Sequence, residues 1–276
     1  MFQVKTPLLV IDKQPSYGDE GNNTAITKDL GIIQLVASGV YRPGASLAAI
    51  TEPPVSVLAD ISFQDNNFTF GRLFTLSLNN YFLHIQKSYV NLSWFYFYCF
   101  LLKHFLPYGI KSEKSYNLLK GSLSFVQSWN KEEKINFNVV YFITRLLKIN
   151  GLVAGFDDCV LCEDRFKRDE VVYFHLNEQG LLCKSCAKKS SFLGYRGLES
   201  GYLSIDYLKL TPLKRNITLP SGLLRIQPEE REVLSLCSNT AEIEIVYTNI
   251  FSHSNINGQN ILRARNFLLI FLASLL

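Results

Sequence analysis

The chain is poor in the residues that announce chemistry. It has four histidines, His84, His104, His175 and His253, and they are scattered. It has no glycine-rich phosphate loop, no Gly-Lys-Ser/Thr, no His-Glu-x-x-His and no Gly-x-Ser-x-Gly. Those absences remove the common signatures of phosphate-loop nucleotide binding, zinc proteolysis and serine hydrolysis. Asp19-Glu20 fall in an early loop. Asp157-Asp158 precede a cysteine, where acids more often cap a turn than do acid–base work. No nucleophile, base and oxyanion donor come together, so the chain reads as a binding protein and not an enzyme.

Long apolar runs are missing too. Tyr89 to Leu106 is interrupted by Asn91, Ser93, Lys103 and His104, and Phe267 to Leu276 is ten residues. Neither approaches the ~20 apolar residues of a membrane span, so no membrane association is expected. The N-terminus has no basic and apolar leader, from which a reducing, cytoplasmic setting is expected. There is no internal repeat and no low-complexity tract. Charge of one sign is in short supply: the net charge is +4, too mild to announce nucleic-acid binding on its own.

What is present suits a globular chain of about two domains. Hydrophobic residues make up 47% and charged residues 19%, enough to bury a core. Charge is unevenly placed. Residues 1 to 88 hold six Lys/Arg against seven Asp/Glu. Residues 183 to 215 hold seven cations against only Glu199 and Asp206. That basic segment is either a solvated face or a phosphate-binding surface.

Four of the six cysteines carry the strongest chemical signal. Cys159-x-x-Cys162 and Cys183-x-x-Cys186 flank Val171 to His175, a turn ending in Gly180, and Leu181-Leu182. Two residues between paired cysteines let both sulfurs face one ion, and the second pair completes a tetrahedron. The intervening pattern predicts a β-hairpin, hence a zinc ribbon. Four cysteines leave no open position, so the Zn2+ is structural rather than catalytic. Disulfides or free thiols are the competing reading. Cys99 and Cys237 sit in apolar surroundings as buried thiols.

Residues 7 to 76 read as short strands separated by Pro, Gly, Asn and Asp turns. A five-stranded Greek-key barrel, the OB-fold, accounts for them with few exposed edges. After residue 77 the apolar spacing becomes helical, at 79–87, 90–105, 112–126, 134–147, 199–210, from 228, and 261–276. The expected fold class is therefore α+β: an N-terminal OB-fold β-barrel over 1–77, then an α-helical bundle over 78–276. The bundle carries the four-cysteine zinc ribbon as an insertion at 157–188. The last helix is expected to dock through its apolar face, with a membrane or partner anchor as the rival.

Two blocks resemble the bacterial DNA repair and recombination mediator family RecO. One runs from Ala37-Ser38-Gly39-Val40-Tyr41-Arg42-Pro43 through Ser46 to Ala49 and Glu52-Pro53. The other runs from Gly151 to Cys162 and from Gln179 to Cys186. Tyr17-Gly18-Asp19-Glu20 and Thr27 to Gly31 also fit the family's first hairpin. Departures are Ala154 where the family usually has proline, Glu163 where it has glycine, and Gln179-Gly180 where it has two glycines. Its arginine-rich turn is thinned to Arg42 beside Tyr41.

The resemblance implies a RecF-pathway-like mediator, cytoplasmic and nucleoid-associated, with no cofactor beyond structural zinc. Such proteins bind single- and double-stranded DNA, anneal complementary strands, and work with RecR. They also bind the C-terminal tail of single-stranded DNA-binding protein (SSB) and help load RecA. Lys13, Arg42 and Arg72 on the barrel, and Lys184, Lys188, Lys189 and Arg196 beside the ribbon, are the candidate DNA contacts, each weighed against plain surface charge. Cys159, Cys162, Cys183 and Cys186 are the candidate metal ligands. Two alternatives stay open: a nucleic-acid-modifying enzyme using the ribbon as scaffold, and a structural zinc-ribbon subunit of a larger assembly without its own annealing activity.

Overall fold

The computed structural model describes residues 2–42, 48, 51–127, 132–175, 178–189, 223–252 and 256–275. It divides into two compact units, Met1–Trp129 and Asn130–Leu276.

The first unit begins with five strands: β1 (Phe2–Pro15), β2 (Gly21–Thr27), β3 (Gly31–Ala37), β4 (Val55–Phe63) and β5 (Phe70–Asn80). They pair in the order β1-β2-β3-β5-β4, and β4 also pairs with β1, so each strand has two neighbours. Alternation decides what they bury. Leu8, Val10, Ala25, Ile33, Leu35, Val55, Val57, Ala59, Ile61 and Phe63 form one core cluster. Leu9, Ile11 and Ile26 are equally buried, although they alternate with that set. Two helices that lie against β1 and β2 explain this: α2 (Tyr89–Phe105) and α3 (Glu113–Gln127). A single turn, α1 (Leu83–Gln86), precedes them. Residues that read as a separate bundle thus supply the second apolar layer of the strand unit.

The expected fold class does not stand as written. The five strands form a mixed sheet: the β3–β5 contact is parallel and only three residue pairs long, Gln34↔Phe70, Leu35↔Gly71 and Val36↔Arg72. The ribbon is not a two-stranded insertion in a helical bundle either. Its hairpin, β6 (Val172–His175) and β7 (Gly180–Leu182), is the start of a three-stranded sheet. The third strand is β8 (Leu223–Ile226), which pairs antiparallel with β6 from about fifty residues further along. What the structure shows is five strands of mixed pairing in which β4 returns to β1, a separate three-stranded sheet and a four-cysteine cluster able to hold a metal, in place of the OB-fold and the ribbon-bearing bundle expected from the sequence.

Helix boundaries follow from capping. The Ser88 side chain accepts the Asn91 N–H at 3.3 Å and starts α2; Pro107 follows its end. Trp94, Phe95, Tyr98, Cys99, Leu101 and Leu102 are buried, but Tyr89, Tyr96 and Phe100 are exposed. The helix therefore has an outer face, contrary to its nearly uninterrupted apolar sequence. Gly31 (φ +70°) sits so close to the loop after α2 that an added Cβ would lie 1.9 Å from the Ile110 carbonyl oxygen.

The second unit is organised around α4 (Glu132–Ile149), α6 (Pro228–Asn239), α7 (Ile243–Ser252) and α8 (Gly258–Leu275), with the three-stranded sheet and α5 (Lys184–Lys189). Phe137, Val140, Phe142, Ile143, Leu146 and Leu147 of α4 are buried. Arg145 donates to the Ser238 carbonyl at 2.7 Å and Lys148 to Asn239 Oδ1 at 2.9 Å. Both cations thereby sit at the electronegative C-terminal end of α6. The last helix docks as expected: Ile261, Ala264, Leu268, Leu269, Phe271 and Leu272 are buried. The helix expected at 199–210 lies outside the described residues. No helix among the described residues is long and apolar enough to cross a membrane.

Candidate metal centre and nucleic-acid interface

The cysteine cluster is built from two knuckles on the β6–β7 hairpin. Asn150 and Gly151 close α4: the Gly151 N–H reaches Lys148 O at 3.1 Å and the Leu152 N–H reaches Leu147 O at 2.9 Å, with Gly151 at φ +68°. The chain then enters the first knuckle. Cys159 N–H donates to Asp164 O at 3.0 Å and Glu163 N–H to Cys159 O at 2.8 Å, folding Cys159 and Cys162 into one turn. Val160 N–H donates to Leu181 O at 2.9 Å, which lays that turn on β7. The contact is close: a Cβ on Gly180 would lie 2.2 Å from a Val160 methyl. The second knuckle runs from Cys183, directly after β7, to Cys186 in α5.

All four sulfurs lie within 4.8 Å of one another, and Cys162 and Cys183 are 3.8 Å apart. Four sulfurs at ~2.3 Å from one ion stand roughly 3.8 Å apart in a tetrahedron, so the donor set fits zinc. Backbone donors support it. Cys183 N–H points to Cys159 Sγ and Cys186 N–H to Cys183 Sγ, both at 3.4 Å, and Cys183 Sγ is 2.9 Å from the Ser185 hydroxyl. Burial raises the Cys183 thiol, but Ser185 and the Cys186 N–H outweigh it and bring it down to about 6. Burial also raises Cys159, where the N–H groups of Cys162, Cys183 and Leu161 prevail and lower it. Cys162 is favoured as thiolate by the Asp164 N–H, yet its neighbouring sulfurs and acid leave it raised. Cys186 is raised, chiefly by Cys183. Two thiols lean towards thiolate and two hold their protons, the division expected of four crowded sulfurs sharing protons where a cation would take all four as thiolates.

His175 is not a fifth ligand. It is buried, and its Nδ1 accepts the Glu178 N–H at 3.2 Å. Asp157 does not cap the knuckle with its side chain. It accepts from Ser235 Oγ at 2.6 Å and Asn239 Nδ2 at 3.0 Å, tying the knuckle's entry to α6. A residue that sequence reasoning missed holds the far side. Arg231 is buried, donates to the carbonyls of Lys167 and Arg168 at 2.6 and 3.0 Å, and stacks 5.3 Å over Phe166. Cys99 and Cys237 are buried apart from the cluster, and burial raises both thiols.

The two departures from glycine noted above acquire a physical meaning. Glu163 has φ +60° and Gln179 φ +51°, the left-handed region that side chains disfavour. Glu163 is exposed. Glu163→Gly should therefore stabilise the second unit by about 1 kcal/mol, strain relief outweighing the entropy gained by the unfolded chain. Urea unfolding of the variant beside the parent checks it; a lower midpoint would refute it.

The candidate basic residues fall into separate groups. Lys184, Lys188 and Lys189 are exposed on and beside α5 next to the second knuckle. Arg196 lies outside the described residues. In the first unit Lys13, Arg42 and Arg72 converge at the end of the sheet that carries the β1–β2 loop, but each meets an acid there. Lys13 is held by Glu52 at 3.2 Å and the Ala48 carbonyl at 3.0 Å, over the Tyr41 ring, with its side chain 8% exposed. Arg42 pairs with Asp19. Arg72 reaches Ser38 Oγ at 3.1 Å and Glu20 at 3.5 Å. Spacing along the chain gave no sign of these pairs. Beside them, Phe70, Phe74, Tyr17 and Tyr41 expose their rings.

Residues 86–195 match the family described as Recombination protein O C terminal. Over those residues the chain is similar to the RecO family. The matched stretch covers α2, α3 and α4, both knuckles and the hairpin between them, so the four cysteines lie inside it. No curated protein sequence matches the chain significantly. The match supports a general role as a mediator of DNA repair and recombination.

Proposed function

We propose that the chain binds single- and double-stranded DNA, anneals complementary strands, and helps load RecA onto SSB-coated DNA, acting with RecR and with the C-terminal tail of SSB. The observation that carries this reading is the four-cysteine cluster lying inside the stretch matched to RecO. Zn2+ would be held by Cys159, Cys162, Cys183 and Cys186 and would supply folding free energy rather than reactivity. Annealing needs two phosphate chains screened from each other, and exposed Lys184, Lys188 and Lys189 with Arg42 and Arg72 are the cations offered for it. Phe70 and Phe74 flank Arg72 at two-residue spacing on β5, a strand with no acidic residue, and suit base stacking.

One observation favours the structural-subunit reading: Lys13, Arg42 and Arg72 are matched one for one by Glu52, Asp19 and Glu20. Annealing of complementary oligonucleotides coated with SSB separates the two. Annealing that falls when the SSB tail is removed is the expected result. Absence of annealing and of oligonucleotide binding even at low salt, with a protein partner still bound, would establish the structural subunit instead.

A further inference from the structure

The β1–β2 connection carries two carboxylates to the two exposed arginines of the first unit. Ser16 N–H donates to Glu20 O at 2.9 Å and Glu20 N–H to Tyr17 O at 3.3 Å, closing the loop around Gly18 (φ +65°). Tyr41 N–H donates to Asp19 O at 3.2 Å, fixing that loop against the segment that bears Arg42. Asp19 then takes the Arg42 guanidinium, and Glu20 takes Arg72 while accepting the Ser38 hydroxyl at 2.9 Å. The arginine side chains are 71% and 56% exposed and the carboxylates 34% and 31%. These pairs stand in water, where an ion pair is weak and another anion can exchange in. Lys13 is different: it is buried under Tyr41 and belongs to the scaffold.

We propose that Asp19 and Glu20 form a carboxylate latch, occupying the positions on Arg42 and Arg72 that DNA phosphates take when single-stranded DNA binds. The inference rests on the reading that these arginines contact DNA. A planar carboxylate and a phosphate both accept a guanidinium's N–H donors, so one substitutes for the other without rebuilding the site. The exchange alters the salt dependence. DNA sheds counterions where arginine neutralises a phosphate. Each displaced carboxylate stays beside the strand, where its negative charge offsets that of the arginine and so offsets that release. The latch thereby keeps binding weak and reversible, as annealing requires, since the protein must leave the product duplex.

The test uses the full chain and a fluorescent oligothymidylate, with binding measured across a salt series. Asp19→Asn/Glu20→Gln removes both charges and keeps amide oxygens for Arg42, Arg72 and Ser38. Thermal unfolding of the variant and of each single change confirms that the loop is intact. The double variant should bind about fivefold tighter at low salt. Its plot of log affinity against log salt should be steeper by about 1.4, two single-strand phosphates at ~0.7 each. Asp29→Asn/Glu113→Gln adds the same charge at the other end of the sheet, where the β2–β3 turn and the start of α3 lie, and should leave the slope unchanged. An unaltered slope in the latch variant, or an equal gain in the control, overturns the latch. Arg42→Gln/Arg72→Gln separates the two levels. If it weakens binding while the latch variant gains nothing, the latch is wrong and the DNA-contact reading stands. If it changes nothing, the contact reading falls and the latch with it.

Discussion

Cys159→Ser should take the protein from one bound zinc per chain to almost none and lower the melting temperature of the second unit by roughly 10 °C or more. The reasoning starts from position. Cys159 is 1% exposed and its sulfur accepts the Cys183 N–H, so it joins the two knuckles as well as offering a ligand. Serine's hydroxyl stays protonated at neutral pH and is a poor zinc donor, leaving three crowded sulfurs that bind the ion weakly. Metal binding is folding free energy in such sites, and a loss of a few kcal/mol moves the midpoint of a unit this size by about 2–4 °C per kcal/mol. Elemental analysis and a melting curve decide it. A chelator should reproduce the shift in the parent and do nothing further to the variant. A parent protein free of zinc, or a variant that keeps it, would sink the assignment.

Phe174→Ala should cost about 3–5 kcal/mol, read as a fall in the urea midpoint of the second unit. Phe174 is fully buried at the centre of β6, the middle strand of its sheet. Its ring meets those of Phe267 and Phe271 on α8 edge-on, at 5.0 and 4.7 Å. Removing it leaves a cavity that the two rings fill only in part. The slack reaches β7, which leads straight into Cys183, so zinc should also be stripped faster by a chelator. A change below ~1 kcal/mol would mean that α8 does not anchor the sheet.

These two residues differ in how far the sequence announced them. The Cys159–Cys162 and Cys183–Cys186 pairs are local: two intervening residues form each turn, and one hairpin brings the turns together. The β6–β7 pairing was legible for the same reason. The third strand was not. Leu224 and Ile226 are buried and Arg225 is exposed, an alternation over four residues that is too short to distinguish from a loop. Its partner β6 lies about fifty residues earlier, and nothing local encodes that distance. The helices of the first unit failed for a related reason. The periodicity of α2 and α3 identified them as helices, but what their apolar faces cover depends on Leu9, Ile11 and Ile26 pointing out of the sheet towards them.

The charges show the same division. By itself the sequence determined the donor set of the metal site, the positions of the main strands and helices, and the supply of cations available for phosphate. Those follow from residue type and spacing over a few turns of chain. Only the tertiary structure decided how those cations are committed. It buried Lys13 against Glu52, turned Arg42 and Arg72 towards Asp19 and Glu20, and left Lys184, Lys188 and Lys189 exposed beside the sulfurs. Arg72 and Glu20 are fifty-two positions apart. Whether a charge meets a partner or water depends on which strands the fold places side by side, and in the first unit that depends on a parallel seam of three residue pairs between β3 and β5.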